Sequence, residues 1–220
     1  MISFERKFFH FEYDDEDNEL ADTIVSIVED TYEKVAARFQ IPVMKDRFTF
    51  KICPDIAAFI KETGKTAETY QPWMVGNADY ARRLVCILSP RVVCDRSLDD
   101  MLKIVKHEVV HIVFGSLEDP DKALIGISEG IAVCIAEQVV PDFLHVNEVP
   151  SMIRLNDEDY FYENDGYNYS GVYVQYFLKK FGAEAFKKIY MGAEQLDAYL
   201  YSGFEAEAIR SAISTTKTQS

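Results

Sequence analysis

Hydrophobic positions change their period along the chain, and the change marks its elements. Residues 2–13 are rich in Phe and alternate loosely, which predicts a strand. Leu20, Ile24, Ile27, Val28, Thr31, Val35 and Phe39 then recur at three- and four-residue steps, predicting an amphipathic helix of about twenty residues. Pro42 ends that segment. Residues 47–53 read as a strand, and Pro54 opens a short helix that Gly64 closes. An extended stretch is expected over 73–80, and a strand over 83–88 before Ser89-Pro90. Ser97 with Asp100 has the form of a helix N-cap, predicting a helix over 98–114 that Gly115 terminates. A further helix is expected over 128–139, stopping before Pro141. Residues 157–169, acidic, Tyr-rich and interrupted by Gly166, read as loop. Helices follow over 170–181 and 183–191 with Gly182 between them, then over 204–213, before a polar tail expected to fray. Strands mixed with helices thus precede helices alone. That order predicts an α+β chain whose sheet belongs to the N-terminal half. With no repeat and no clear linker, residues 1–220 read as one domain, with an α/β part over 1–115 and a helical part over 116–220.

Composition narrows the function classes. At 220 residues and 48% apolar, the chain can build a sizeable core. Its 23 basic and 37 acidic residues give a net charge of −14, which repels phosphate backbones and disfavours nucleic-acid partners. The acidic run Asp14–Glu19 reads as a solvated turn at a helix N-terminus rather than a cation site. Apolar runs such as 131–136 fall far short of the roughly 18 residues that span a bilayer, so no membrane association is expected. Charges enter within the first five positions, so no export signal is read and a cytoplasmic location is expected. Cys53, Cys86, Cys94 and Cys134 form no C-x-x-C pair, and buried free thiols are expected. Gly64-Lys65-Thr66 is not a phosphate loop, because Phe59 stands where that motif needs its first glycine.

One segment carries chemistry: Lys106-His107-Glu108-Val109-Val110-His111. On a helix, His107 and His111 project from one face a turn apart. Two imidazoles so placed can share one Zn²⁺, and Glu108, one step round, can reach an attacking water. A chance match to this spacing has a probability of roughly 0.6% at this composition. The bland alternative is a pair of partly buried core histidines. A catalytic zinc site needs a third protein ligand. Glu129, in Gly126-Ile127-Ser128-Glu129-Gly130-Ile131-Ala132, lies 18 positions after His111 at the start of the next predicted helix. Gly130 and Ala132 would allow close helix packing there. Taken alone, Glu129 could equally be a carboxylate favoured in a helix first turn.

HEVVH, a 17-residue spacer and SEGIAVCIAE resemble the gluzincin zinc metallopeptidases, especially their small peptidase-MA-like members. The close likeness covers about 97–140. Weaker likenesses run over 73–90 and 169–182. The resemblance implies a zincin-like fold with an N-terminal mixed sheet, an active-site helix and a helical C-terminal half, and a cleft between the two halves. It implies zinc bound by His107, His111 and Glu129, with Glu108 as general base. It implies hydrolysis of peptide or protein substrates by activated water. A downstream Tyr or His would stabilise the oxyanion, with Tyr169 the first candidate, then Tyr173, Tyr167 and His145. Two positions depart from the pattern: Val133 replaces an Asp that often orients a histidine ligand, and Ile127 stands where Trp or Leu is common. The extended stretch 73–80 reads either as a sheet edge that takes a substrate strand or as an ordinary strand or loop. The alternatives to a peptidase are a catalytically silent zincin-fold regulatory module and a plain α+β interaction domain. Oligomeric state is not legible.

Overall fold

In the computed structural model, residues 1–117, 124–145 and 149–216 are described. The chain divides into two compact units, Met1–Ser116 and Leu117–Ser220.

The first unit carries a five-stranded mixed sheet. The segment expected as one strand over 2–13 is instead two, β1 (Ile2–Glu5) and β2 (Phe9–Tyr13), paired antiparallel with Ile2 opposite Tyr13. The charged run Glu5-Arg6-Lys7 turns the chain, and Arg6 N–H closes the turn on the Phe9 carbonyl at 2.8 Å. Of the positions its period predicts, helix α1 (Asn18–Phe39) buries Ile24, Val28, Thr31, Val35 and Phe39, while Leu20 and Ile27 are half-buried. It leads to β3 (Phe48–Cys53), which runs parallel to β2. Helix α2 (Ile56–Thr63) is capped by the Asp55 carboxylate and ends on Gly64 in the left-handed conformation. Strand β4 (Gly76–Asp79) pairs antiparallel with β5 (Leu84–Leu88), and β5 runs parallel to β3. The sheet order is β1-β2-β3-β5-β4, so β4 is an edge strand. Trp73, expected in that strand, lies in a turn before it and is half-exposed.

Aromatic side chains hold β2 to β3. Phe9 meets Phe48 at 5.9 Å and Phe11 meets Phe50 at 5.7 Å between ring centroids, each pair adding about 0.5–1.5 kcal/mol beyond its buried area. The acidic run is less solvated than expected. Asp17 is fully buried, accepts a hydrogen bond from Ser89 Oγ, and is paired with Arg91 Nε at 2.8 Å. A buried carboxylate needs such partners. Helix α3 (Leu98–Gly115) closes the unit. Its last residue, Gly115, is helical; its lack of a side chain lets Tyr80 approach, since a methyl there would sit 2.7 Å from the ring.

The second unit, among its described residues, is helical: α4 (Ile125–Ile135), α5 (Glu158–Glu163), α6 (Gly166–Tyr190) and α7 (Phe204–Thr216). Three outcomes differ from expectation. Helix α4 starts earlier than 128, at Ile125, and stops before 139, where Glu137 takes a left-handed conformation (φ 57°). The expected loop over 157–169 contains α5, whose N-cap Asp157 accepts the Tyr160 N–H at 2.9 Å. Helix α6 begins at Gly166 rather than 170, and its break falls at Gly182 (φ 84°, ψ 173°) as expected. Helices α4 and α6 cross through small residues. A methyl at Gly130 would lie 2.7 Å from Val174 Cγ2, and one at Gly171 would lie 2.4 Å from Val133 Cγ1. The α6–α7 contact is polar: Tyr176 donates to Glu207 Oε2 at 2.6 Å, and that acceptor pushes the Tyr176 phenol up to about 12.

None of the four cysteines forms a disulfide. Cys53 and Cys86 are buried as expected, whereas Cys94 is exposed and Cys134 half-buried. The polar tail beyond 216 lies outside the described residues. No helix among the described residues is long and apolar enough to cross a membrane.

Candidate metal centre

The chemistry-bearing turn sits in the most enclosed part of α3. The helix starts on a full capping box: Asp100 N–H donates to Ser97 Oγ at 3.1 Å and Ser97 N–H to Asp100 Oδ2 at 3.3 Å. The Ser97 hydroxyl also donates to Asp100, holding that carboxyl below its ordinary value. Beyond the first turn, Ile104, Val105, Val109, Val110, Ile112, Val113 and Phe114 are buried. Phe114 packs edge-on against Phe39 of α1 at 4.9 Å. Helix α3 is thus fixed by packing on several sides, not along one stripe.

His107 and His111 emerge from this turn together. Their Nε2 atoms are 3.0 Å apart, and the rings meet edge to face with centroids 4.7 Å apart. Two nitrogens on a tetrahedral zinc at 2.0–2.1 Å would be about 3.3 Å apart. The imidazole pair therefore fits one shared metal with little movement. His107 is 9% exposed and Glu108 8%.

The Glu108 carboxylate lies on β4. A methyl built on Gly76 would sit 2.5 Å from Glu108 Oε1, 2.9 Å from its Cγ and 2.8 Å from Ile104 Cγ2. Only a residue without a side chain leaves room for this carboxylate. Within the stretch 73–80, the group that approaches Gly76 is Glu108 itself.

The remaining candidates belong to the second unit. Glu129 is the fifth residue of α4 rather than its first, and is half-buried. Its neighbour Ser128 shares a hydrogen bond with Tyr190 at 3.3 Å. Ile127 is buried, as a packing residue should be. Tyr169 is buried, and its hydroxyl accepts the backbone N–H of His145 at 3.0 Å. Tyr169 and His145 line a pocket of about 550 Å³ with Phe143, Pro150, Glu163, Asn164 and Asp165; Glu129 does not line it. Within that pocket, loss of solvent raises the Asp165 carboxyl, and a hydrogen bond from Asn168 opposes the rise. Tyr173 is fully buried and donates to the Pro150 carbonyl at 2.7 Å, so its one proton is committed. Burial pushes its phenol well above the ordinary value.

Tyr162 and Tyr167 lie on either side of the α5–α6 corner. Partial desolvation raises the Tyr162 phenol, a hydrogen bond with Tyr167 opposes that rise, and the Glu129 carboxylate adds to it. The sequence over 157–169 reads as loop; the signal for α5 there is Asp157 followed by an acidic turn, the start of a capped helix.

Comparison with family models, with curated proteins and with solved structures finds no match to this chain.

Proposed function

We propose that the chain is a zinc-dependent peptidase of gluzincin type on a zincin-like fold. The observation that carries this reading is the pair of imidazole nitrogens 3.0 Å apart on α3, with the buried Glu108 carboxylate one residue on from the first. Their fit to a common metal, in the H-E-x-x-H order, is what zinc hydrolysis requires. His107, His111 and Glu129 would hold the ion, each offering one ligand atom. When bound, zinc would lower the pKa of a water toward ~7 and polarise a substrate carbonyl.

The chain's own residues do the rest. Glu108 takes the proton of the attacking water on its carboxylate and delivers it to the leaving nitrogen. Gly76 leaves the space in which that carboxylate is held. Low exposure at His107 and Glu108 limits competing bulk water and strengthens the charges that act there. The β4 edge, one residue of which touches Glu108, offers backbone groups to an extended peptide. Net acidity favours neutral or basic peptides.

The test is metal analysis of chelator-free protein beside Glu129→Ala and Glu108→Gln. One zinc per chain, reduced by Glu129→Ala, together with peptide hydrolysis that Glu108→Gln abolishes while keeping zinc, is expected. Failure to take up zinc on reconstitution, or unimpaired hydrolysis by Glu108→Gln, refutes the reading.

A further inference from the structure

We propose that the pocket of the second unit binds a small organic cation, a primary amine on an apolar carbon frame that also carries a hydroxyl or carbonyl oxygen. The site lies wholly within 143–169 and stands apart from the peptidase reading.

The walls of the pocket are tied in place. The Asn168 side chain takes both backbone groups of Val140, accepting its N–H at 2.8 Å and donating to its carbonyl at 3.0 Å. A few residues on, the Tyr169 hydroxyl accepts the His145 N–H at 3.0 Å. The segment that carries Phe143 is thereby fastened to α6 on either side of it. The α5–α6 corner supplies Glu163 and Asp165. Asp165 turns that corner in a left-handed conformation (φ 51°, ψ 45°). Gly166 then seats the start of α6 on the fully buried Phe161, where a methyl would lie 2.4 Å from Cδ2. The cavity of about 550 Å³ falls within the range of small-molecule sites, about 300–1,000 Å³.

The lining selects the ligand. Tyr169 is 4% exposed, and its oxygen already accepts the His145 N–H. Its own proton meets no acceptor among the described residues. A buried hydroxyl in that state calls for an oxygen acceptor on the ligand. Glu163 and Asp165 form no ion pair among the described residues, and no lysine or arginine lines the cavity. Loss of solvent already raises the Asp165 carboxyl, and a bound ammonium would restore its charged form. Phe143, 65% exposed, and the buried Pro150 add apolar surface for a carbon frame, and an aromatic face also attracts an ammonium. An anion would meet two carboxylates. A plain alkylamine would leave the Tyr169 proton without an acceptor.

The probe is phenylalaninol, an amino alcohol on an aromatic frame. Phenylpropanol and phenylpropanoate are its neutral and anionic counterparts, and phenylpropylamine lacks only the hydroxyl. Binding to the full chain is measured by calorimetry for the parent, Asp165→Asn, Glu163→Gln, Tyr169→Phe and His111→Ala. Asparagine tolerates the left-handed corner, and Glu163 is exposed, so neither carboxylate variant should disturb the fold. Phenylalaninol should bind the parent with a Kd of about 1 mM or tighter, as its size allows. The neutral and anionic counterparts should bind at least about 10-fold more weakly. Asp165→Asn should weaken phenylalaninol about 10-fold and Glu163→Gln about threefold or more. Tyr169→Phe should weaken phenylalaninol about 3- to 10-fold and leave phenylpropylamine within about twofold. His111→Ala should bind as the parent does. No saturable binding up to about 10 mM overturns the proposal, as does equal binding of the neutral counterpart. Carboxylate variants and Tyr169→Phe all within about twofold of the parent overturn it too. A loss confined to His111→Ala places the probe at the metal centre, which overturns the pocket and leaves the peptidase reading standing.

Discussion

Replacing Gly76 with Ala tests how the general base is held. The added methyl would lie 2.5 Å from Glu108 Oε1 and 2.9 Å from Glu108 Cγ. Ordinary contact begins near 3.5 Å, so the carboxylate must retreat by about 1 Å. A misplacement of that size in a catalytic group costs on the order of 100-fold in rate. Overpacking of this kind costs about 1–3 kcal/mol, while replacing glycine within a strand returns about 0.5–1 kcal/mol. The net loss is between about 0 and 2.5 kcal/mol, a fall in Tm of up to roughly 10 °C for a chain of this size. Two of the three closest contacts are atoms of Glu108, which makes a double-mutant cycle informative without any substrate. Tm and denaturant midpoints would be measured for the parent, Gly76→Ala, Glu108→Ala and the double variant. The double variant should recover about 1 kcal/mol relative to additivity, because truncating Glu108 clears most of the space the methyl needs. Additivity within about 0.3 kcal/mol would refute the packing of Glu108 on Gly76. Full hydrolytic activity in Gly76→Ala would refute its catalytic consequence.

Two further outcomes are expected away from the metal centre. Gln40 caps α1 in a left-handed conformation (φ 51°, ψ 46°); Gln40→Gly should stabilise by about 1 kcal/mol, read as a rise in Tm of roughly 2–4 °C, and a fall would refute the assigned cap. Ser97→Ala should cost about 1 kcal/mol at pH 7 by removing the α3 cap. Because Ser97 holds the Asp100 carboxyl below its ordinary value, that contribution is present above the unfolded carboxylate pKa and is lost as pH falls through the lower folded value. The Tm difference from the parent should therefore narrow below about pH 4, and a difference that widens with acid would refute the assignment.

Where a residue announced its backbone role, the fold was legible. Ser97 and Asp100 predicted the α3 start, Gly64 the end of α2, and Gly182 the break in α6, since each supplies a cap or conformation that few residues offer. Helix α5 was missed because only Phe161 is buried along its six residues, so no apolar period appears. The β1–β2 turn was missed because a charged run makes it without Gly or Pro. At the candidate centre, His107, Glu108 and His111 were readable from spacing on one helix. The role of Gly76 was not, since it arises from a contact across 32 positions that no local pattern encodes.

The parallel pairing of β2, β3 and β5 has a consequence for how the first unit assembles. Strand β3 pairs with segments that are distant on both sides in sequence, so α1 and α2 must form and swing back before it is covered. Local helices form in about a microsecond, whereas such non-local pairing is slow. During that interval the segment Phe-Thr-Phe-Lys-Ile-Cys over 48–53 is a short, strongly strand-forming stretch open to other chains. Lys51 interrupts it with a charge. In the finished fold that ammonium lies 3.2 Å from Glu12 and 2.8 Å from Glu62, so the residue that discourages self-association early is neutralised at the end by the strand and helix that arrive to cover it.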